Sequence, residues 1–150
     1  MAKNEISFWV PGVPATAGSK TGFYNPKIKR VIMVPANKKQ KPWMAHVRAV
    51  AVEKFERAPI TGPVKFCANF FLLRPKTHYG SGKNSEQVKA SSPEYPQGRP
   101  DLFKLMRAVE DSLTGIVYKD DSQIVSVETV KLYCDNARPT PGVWVRIEEI

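Results

Sequence analysis

Cysteines, acidic residues and long apolar runs are scarce in this sequence, and each shortage excludes a class of protein. Only two of the 150 residues are cysteines, Cys67 and Cys134, and their spacing fits neither a disulfide framework nor a cysteine metal site. We therefore expect a protein of the reducing cytoplasm. No apolar run approaches the ~18 residues of a membrane helix and no charged-then-apolar leader opens the chain, so the sequence predicts no membrane partner.

Acidic residues are missing altogether from a long stretch near the start of the chain. None occurs between Glu5 and Glu53, where there are eight basic residues, and the chain as a whole has 23 basic and 14 acidic residues for a net charge of +9. This balance favours a polyanionic partner, most often nucleic acid. From Asp101 onward, nine acidic residues outnumber six basic ones. The division suits an enzyme that grips phosphates with one surface and holds metal with another; ordinary solvated surface charge is the alternative.

Five short segments rich in β-branched and aromatic residues alternate with two amphipathic stretches. The first predicted helix starts at Lys41-Pro42, because proline is tolerated at the start of a helix, and the second runs from Asp101 to Gly115. A chain of this length is typical of one domain, so we predict a single α/β (α+β) domain over residues 1–150, with a mixed sheet of four or five strands and two main helices. The predicted strands are residues 6–10, 30–34, 64–73, 122–133 and 143–147, of which 64–73 is central and covered on both faces.

Two predicted loops carry residues suited to binding. Residues 13–29 combine glycine, proline and lysine with Phe23 and Tyr24, which favours a flexible segment that tracks a nucleic-acid backbone and stacks on bases. A hairpin whose aromatics simply pack is the alternative. Residues 77–98 are polar and too long for a passive connection, so we expect a flexible flap that orders on substrate, with a disordered tether as the alternative.

The most informative stretch is residues 99–124. Asp101 follows Pro100 and can cap a helix whose other side carries Lys104 and Arg107. Asp120 and Asp121 lie where the chain re-enters the sheet, and two adjacent carboxylates there are costly unless a cation, a donor or water meets them. A divalent metal is one such cation. The buried stripe of the helix consists of Leu102, Leu105, Met106, Val109 and Leu113.

The order Pro-Asp-Leu, helix, Asp-x-Leu-x-Gly and Asp-Asp-x-Gln-Ile across residues 99–125 resembles the RusA-type endodeoxyribonucleases, small Holliday junction resolvases common in phages and prophages. The likeness extends more loosely to Gly18-Ser19-Lys20 and to Lys131. It implies a RusA-like fold and a homodimer that cuts four-way DNA junctions by paired symmetric phosphodiester hydrolysis. It also implies Mg²⁺, or Mn²⁺, as cofactor, a role in DNA recombination and repair, and the cytoplasm of a bacterial host.

The resemblance assigns roles residue by residue. Asp101 and Asp121 match catalytic aspartates, and we expect them to hold the metal together with Asp120. Arg107 takes the place of a catalytic lysine, and its permanent charge suits it to phosphate or to the transition state rather than to proton donation. The residues expected to contact DNA are Lys20, Lys27, Lys29, Arg30, Lys76, Arg99, Lys104 and Lys131.

Phe103 departs from the family pattern, because it stands where a second metal-binding aspartate is expected. Glu110 lies seven residues further, about 10 Å along the helix at ~1.5 Å per residue, too far to take the same coordination position, and Asp111 is further still. We therefore expect water to fill the vacant ligand position. Phe103 itself is expected to pack against the dimer partner or beneath the flap. A branched-DNA-binding module with weak or no cleavage is the alternative function, and a structural or assembly protein with a basic surface is a third.

Overall fold

Residues 4–150 are described by a computed structural model, with every side chain among them except that of Pro35. The chain forms one compact domain of mixed α and β structure, which confirms the predicted fold class, its two main helices and its single mixed sheet of four strands. Within residues 4–150, neither helix is long and apolar enough to cross a membrane. The elements are β1 (Glu5–Pro11), β2 (Lys20–Asn25), β3 (Arg30–Pro35), α1 (Gln40–Lys54), β4 (Val64–Leu72), α2 (Leu102–Leu113), β5 (Ile124–Tyr133) and β6 (Gly142–Glu149).

The main sheet has the strand order β1-β6-β4-β5. Strands β1, β6 and β4 pair antiparallel, whereas β4 and β5 pair in parallel with α2 as the connection between them. Because successive side chains of a strand point to opposite faces, Phe66 and Phe70 of β4 enter the core while Cys67 and Phe71 stay half-buried on the other face. Strand β4 is central, but the prediction that both its faces are covered is wrong. Its outer face is shielded only locally, as where the Arg138 guanidinium lies 4.5 Å from the Phe71 ring centroid.

Strands β2 and β3 form a separate two-stranded hairpin. Residues 20–25, predicted as part of a loop, pair with the predicted strand at 30–34 in a register that sets Tyr24 opposite Val31. The predicted flexible loop is a hairpin over residues 20–25, as the alternative interpretation had it. The aromatic side chains do not pack as that alternative expected, since Phe23 is 48% and Tyr24 is 61% exposed. The segment lacks the one-sided apolar alternation of a buried strand, which is why its pattern did not reveal the pairing.

Residues 76–98 form a hydrogen-bonded excursion from the end of β4. Within it, the His78 carbonyl accepts from the Lys89 N–H at 2.8 Å and the Gln87 carbonyl from the Gly80 N–H at 2.9 Å. The Arg74 guanidinium donates to the Pro93 carbonyl at 2.7 Å and lies 4.3 Å from the Tyr133 ring centroid, which fastens the segment to β5. Its closure as a flexible flap on substrate stays a prediction.

Candidate metal and nucleic-acid site

Helix α2 buries one side and presents a mostly polar side to solvent. Its predicted apolar stripe is confirmed, since Leu105, Met106, Val109 and Leu113 are all buried. Besides Lys104, four side chains that are not buried follow one another in a row at three- and four-residue spacing on the opposite side. That row consists of Phe103, Arg107, Glu110 and Asp111, of which all but the half-buried Glu110 are exposed.

The chain folds back over the last turn of α2. Gly115, with φ at +86°, allows the reversal, and the buried Tyr118 closes it by donating its hydroxyl to the Glu110 carbonyl at 2.7 Å. The Thr114 hydroxyl donates to the same carbonyl at 3.1 Å, and the Ile60 N–H donates to the Val117 carbonyl at 2.8 Å. These contacts bring the chain that follows to the C-terminal end of α2.

The two adjacent aspartates of the next turn have different tasks. The Asp120 carboxylate accepts from the Ser122 N–H at 3.2 Å and caps the turn Asp121–Gln123, while Gln123 Oε1 accepts from the Asp120 N–H at 2.8 Å. Gln123 Nε2 also donates to the carbonyls of Ile60 at 2.7 Å and Gly62 at 2.8 Å. The motif therefore uses Asp120 and Gln123 to hold the turn and leaves the exposed Asp121 carboxylate to face α2.

Glu110, Asp111 and Asp121 form a carboxylate cluster, in which one oxygen from each residue lies within 4.8 Å of the others. Burial raises the pKa of Glu110, and the charges of Asp111 and Asp121 raise it further. Hydrogen bonding with the Asp120 side chain, together with burial, raises the pKa of Asp121, whereas the Ser122 N–H lowers the pKa of Asp120. Three carboxylates this close together supply the oxygen ligands that a divalent cation prefers.

Asp101 lies at the other end of α2 from this cluster. It precedes the helix by one residue, but its side chain makes no capping bond and instead lies 3.5 Å from Lys104 Nζ. Nine residues separate it from Glu110, about 14 Å along the axis at ~1.5 Å per residue. Within residues 4–150, Asp101, Asp120 and Asp121 therefore do not come together, and Asp121 is the one predicted ligand that joins the carboxylate cluster.

Glu110 is distant from position 103 along the helix, as expected. The turn at Gly115 nevertheless brings Asp121 close to Glu110, a contact that the distance along the helix does not reveal. The usable signal was the short spacing between Asp111 and Asp121, with a glycine between them. The structure thus brings Asp121 together with Glu110 and Asp111 rather than with Asp101, while the role of each residue stays a prediction.

A cleft of about 430 Å³ separates α2 from the chain that leads to the hairpin. The Ala17 N–H donates to the Lys104 carbonyl at 3.0 Å, and Gly18 has φ at +101°. A Cβ at Gly18 would lie 3.2 Å from Arg107 Cδ, so glycine is what lets the arginine approach. Arg107 has no ion-pair partner among residues 4–150, although its charge lowers the pKa of Glu110. The cleft is lined by Ala17, Gly18, Phe103, Met106, Arg107, Glu110 and Val127, among others.

The family model described as Endodeoxyribonuclease RusA matches residues 16–148 of this chain. The chain belongs to the RusA family. The sequence is also similar to an uncharacterized protein, YqaN, of Bacillus subtilis (strain 168), with 32% identity over 146 residues that cover 97% of this chain and 96% of that protein. RusA proteins are divalent-metal-dependent endodeoxyribonucleases that bind branched DNA. The carboxylate cluster and the Arg107 cleft both lie within the matched residues.

A second groove of this RusA-family protein, about 620 Å³ in volume, lies at the N-terminal end of α2. Arg99 and Lys104 provide positive charge there, the predicted catalytic residue Asp101 provides a carboxylate 3.5 Å from Lys104, and neutral polar groups come from Thr16, Ser19 and Asn37. Basic and neutral polar side chains of these types make the backbone contacts that position a protein on DNA.

Seven of the eight predicted DNA-contacting residues are exposed, and four of them lie on the hairpin. Lys131 is the exception, because it is half-buried and its ammonium donates to the carbonyls of Gly98 at 2.6 Å and Pro100 at 2.9 Å. These bonds tie the loop before Asp101 to β5. Lys131 thus has a structural task that the sequence did not reveal, and its contact with DNA stays a prediction. The exposed set is Lys20, Lys27, Lys29, Arg30, Lys76, Arg99 and Lys104.

Phe103 is 81% exposed and therefore does not pack beneath residues 77–98, contrary to one of the two expectations for it. The other expectation, a contact with a dimer partner, stays a prediction.

Proposed function

We propose that this chain is a Mg²⁺-dependent endonuclease that resolves four-way DNA junctions by paired, symmetric hydrolysis of phosphodiester bonds. The observation that carries the proposal is the carboxylate cluster of Glu110, Asp111 and Asp121, next to a cleft with an unpaired arginine, in a member of an endodeoxyribonuclease family. That arginine is Arg107, which forms no ion pair with any acidic residue among residues 4–150.

The carboxylate cluster fits a divalent metal by its donor chemistry. Mg²⁺ prefers oxygen ligands and keeps several waters, so a few carboxylates are enough to hold it, and Mn²⁺ accepts the same ligands. The charges of Asp111 and Asp121 raise the pKa of Glu110, so the three carboxylates repel one another, and a divalent cation bound among them would relieve that repulsion. When bound, the metal supplies activation of water and neutralisation of charge on the phosphate.

The chain's own residues bind and orient the DNA strand. The planar Arg107 guanidinium offers parallel N–H donors to two oxygens of one phosphate, and because it stays charged at all working pH values it neutralises that phosphate throughout the reaction. Arg99 and Lys104 suit a second phosphate at the other end of α2. The basic hairpin, with Lys27, Lys29 and Arg30, extends the positive surface beyond the cleft.

Paired symmetric nicks require two equivalent active sites, which a homodimer with two-fold symmetry provides. We therefore propose a dimer as the active form, together with a role in DNA recombination or repair in the cytoplasm of a bacterium, encoded by a phage or prophage.

The test is cleavage of a synthetic four-way junction with Mg²⁺ or Mn²⁺ by the wild type, Asp121→Asn and Phe103→Asp. We expect paired nicks from the wild type and none from Asp121→Asn, with binding of the junction in EDTA retained by both. Mg²⁺ is expected to raise the melting temperature of the wild type but not that of Asp121→Asn. Phe103→Asp restores the family's residue at a position distant from the cluster, so it should leave the Mg²⁺-induced rise unchanged.

Three results would contradict parts of the proposal. Tight junction binding without nicks in either metal would make the chain a branched-DNA-binding module. Phe103, which stands in place of a family aspartate, is the observation that favours this second candidate. Equal affinity for the junction and for linear duplex would indicate a structural protein with a basic surface. Cleavage by Phe103→Asp but not by the wild type would move the metal to position 103 and away from the carboxylate cluster.

A further inference from the structure

Phe103 is the most exposed large apolar side chain among residues 4–150, at 81%. It lies in the first turn of α2 on the side that carries Arg107, one turn further along. Its neighbours in the cleft include the apolar side chains of Met106 and Val127, with Arg107 and Glu110 deeper along the helix. The Phe103 ring thus lines the cleft while staying exposed, so its face is open to a molecule that enters the cleft.

We propose that Phe103 is a stacking platform for a nucleobase of the DNA strand whose phosphate Arg107 holds. The inference rests on the proposed function and deepens it by naming what the family-atypical residue binds. Every base offers a flat face, and stacking on an aromatic side chain is a common way to hold an unpaired nucleotide. Phe103 precedes Glu110 by seven residues, about 10 Å along the axis or about three base steps of ~3.4 Å, so the platform is within reach of a nucleotide near the cut bond.

The charge around Phe103 favours DNA over a second copy of the chain. Arg107 lies one turn along α2 from the ring and has no ion-pair partner among residues 4–150, whereas Lys104 pairs with Asp101 at 3.5 Å. In a two-fold dimer centred on Phe103, the same patch would face itself, which would bring Arg107 towards its own counterpart. Like charges at such an interface oppose association, whereas a phosphate backbone neutralises them.

Junction binding in EDTA tests the proposal with Phe103→Ala, Phe103→Leu and Phe103→Trp, beside Val52→Ala as an exposed apolar side chain on α1. We expect Phe103→Ala and Phe103→Leu to weaken binding about 5- to 150-fold, since stacking is worth ~1–3 kcal/mol per base. Phe103→Trp should bind within about twofold of the wild type because it keeps the flat face. Val52→Ala should bind as the wild type does.

An abasic scan of the junction identifies the base. Single abasic nucleotides are placed one at a time around the cut site, and each junction is bound to the wild type and to Phe103→Ala. We expect one position where the missing base weakens the wild type at least about fivefold but weakens Phe103→Ala hardly at all, because the two changes remove the same contact. Sedimentation of each variant records its oligomeric state.

The outcomes are distinct. Wild-type affinity of Phe103→Leu would mean that apolar burial rather than stacking occupies the site, and loss of the dimer in Phe103→Ala would assign Phe103 to the subunit interface. Either result, or an abasic scan without a coupled position, overturns this inference while junction cleavage by the wild type still supports the proposed function. If the wild type neither prefers nor cuts the junction, the proposed function itself fails.

Discussion

Replacing Gln123 by alanine tests whether the turn before β5 is what directs Asp121 at the carboxylate cluster. Gln123 makes three hydrogen bonds, accepting from the Asp120 N–H and donating to the carbonyls of Ile60 and Gly62, at 2.7 to 2.8 Å. At ~1 kcal/mol for each bond, the loss of all three should lower the free energy of unfolding by about 3 kcal/mol. For a domain of this length, the melting temperature should fall by about 6–12 °C.

The functional consequence is separate from the loss of stability. Asp121 is unchanged in Gln123→Ala, but the turn that holds its carboxylate next to Glu110 is no longer fastened to the chain before β4. We therefore expect a smaller Mg²⁺-induced rise in melting temperature and weaker junction cleavage, with binding in EDTA unchanged. Gln123 is a positioning residue, since its side chain bonds to backbone groups of Asp120, Ile60 and Gly62 and acts on the cluster through Asp121.

The assay is thermal unfolding followed by circular dichroism, in EDTA and across a Mg²⁺ titration, at a temperature range where both proteins start folded. Gln123→Glu keeps the acceptor for the Asp120 N–H but loses both bonds to the carbonyls, so it should be no more stable than Gln123→Ala. Gln87→Ala, an exposed glutamine, is the control. A melting temperature within about 2 °C of the wild type, or an unchanged response to Mg²⁺, would refute the role given to Gln123.

Two further predictions concern pH and lysine. The raised pKa values of Glu110 and Asp121 mean that the native state binds their protons more tightly than the unfolded state does. The stability that these groups contribute is therefore complete below their unfolded-state pKa values, near pH 4, and is lost as pH rises through their folded-state pKa values. Glu110→Gln should flatten this decline of stability in EDTA, and a pH profile identical to that of the wild type would contradict the prediction. Lys131→Met should lower the melting temperature by several degrees, since two charge-assisted hydrogen bonds are worth ~1.5–3 kcal/mol each. Lys27→Met should leave the melting temperature unchanged and reduce the salt dependence of DNA binding by about one unit of slope. The reverse pattern would make Lys131 a DNA contact and Lys27 a structural residue.

Local patterns in the sequence determined the elements on which the site is built. The apolar spacing from Leu105 to Leu113 predicted the buried stripe of α2, because a helix repeats every 3.6 residues whatever it packs against. The run of apolar residues in β4 predicted a central strand, because side chains of a strand alternate between its two faces and this run places apolar residues on both. The motif between residues 99 and 125 likewise carried enough information to indicate the family.

The tertiary structure alone decided which acidic residues meet. Asp101, Asp120 and Asp121 all stand in family motifs, yet helix length separates the first from the others, and the Asp120 side chain is used to cap its own turn. The distance between two residues on either side of a chain reversal depends on how the turn is anchored. Here Tyr118 bonds to the Glu110 carbonyl, and Gln123 bonds to carbonyls before β4 that are distant in sequence. Such bonds have no signature in local sequence, which is why Glu110 entered the carboxylate cluster only once the fold was known.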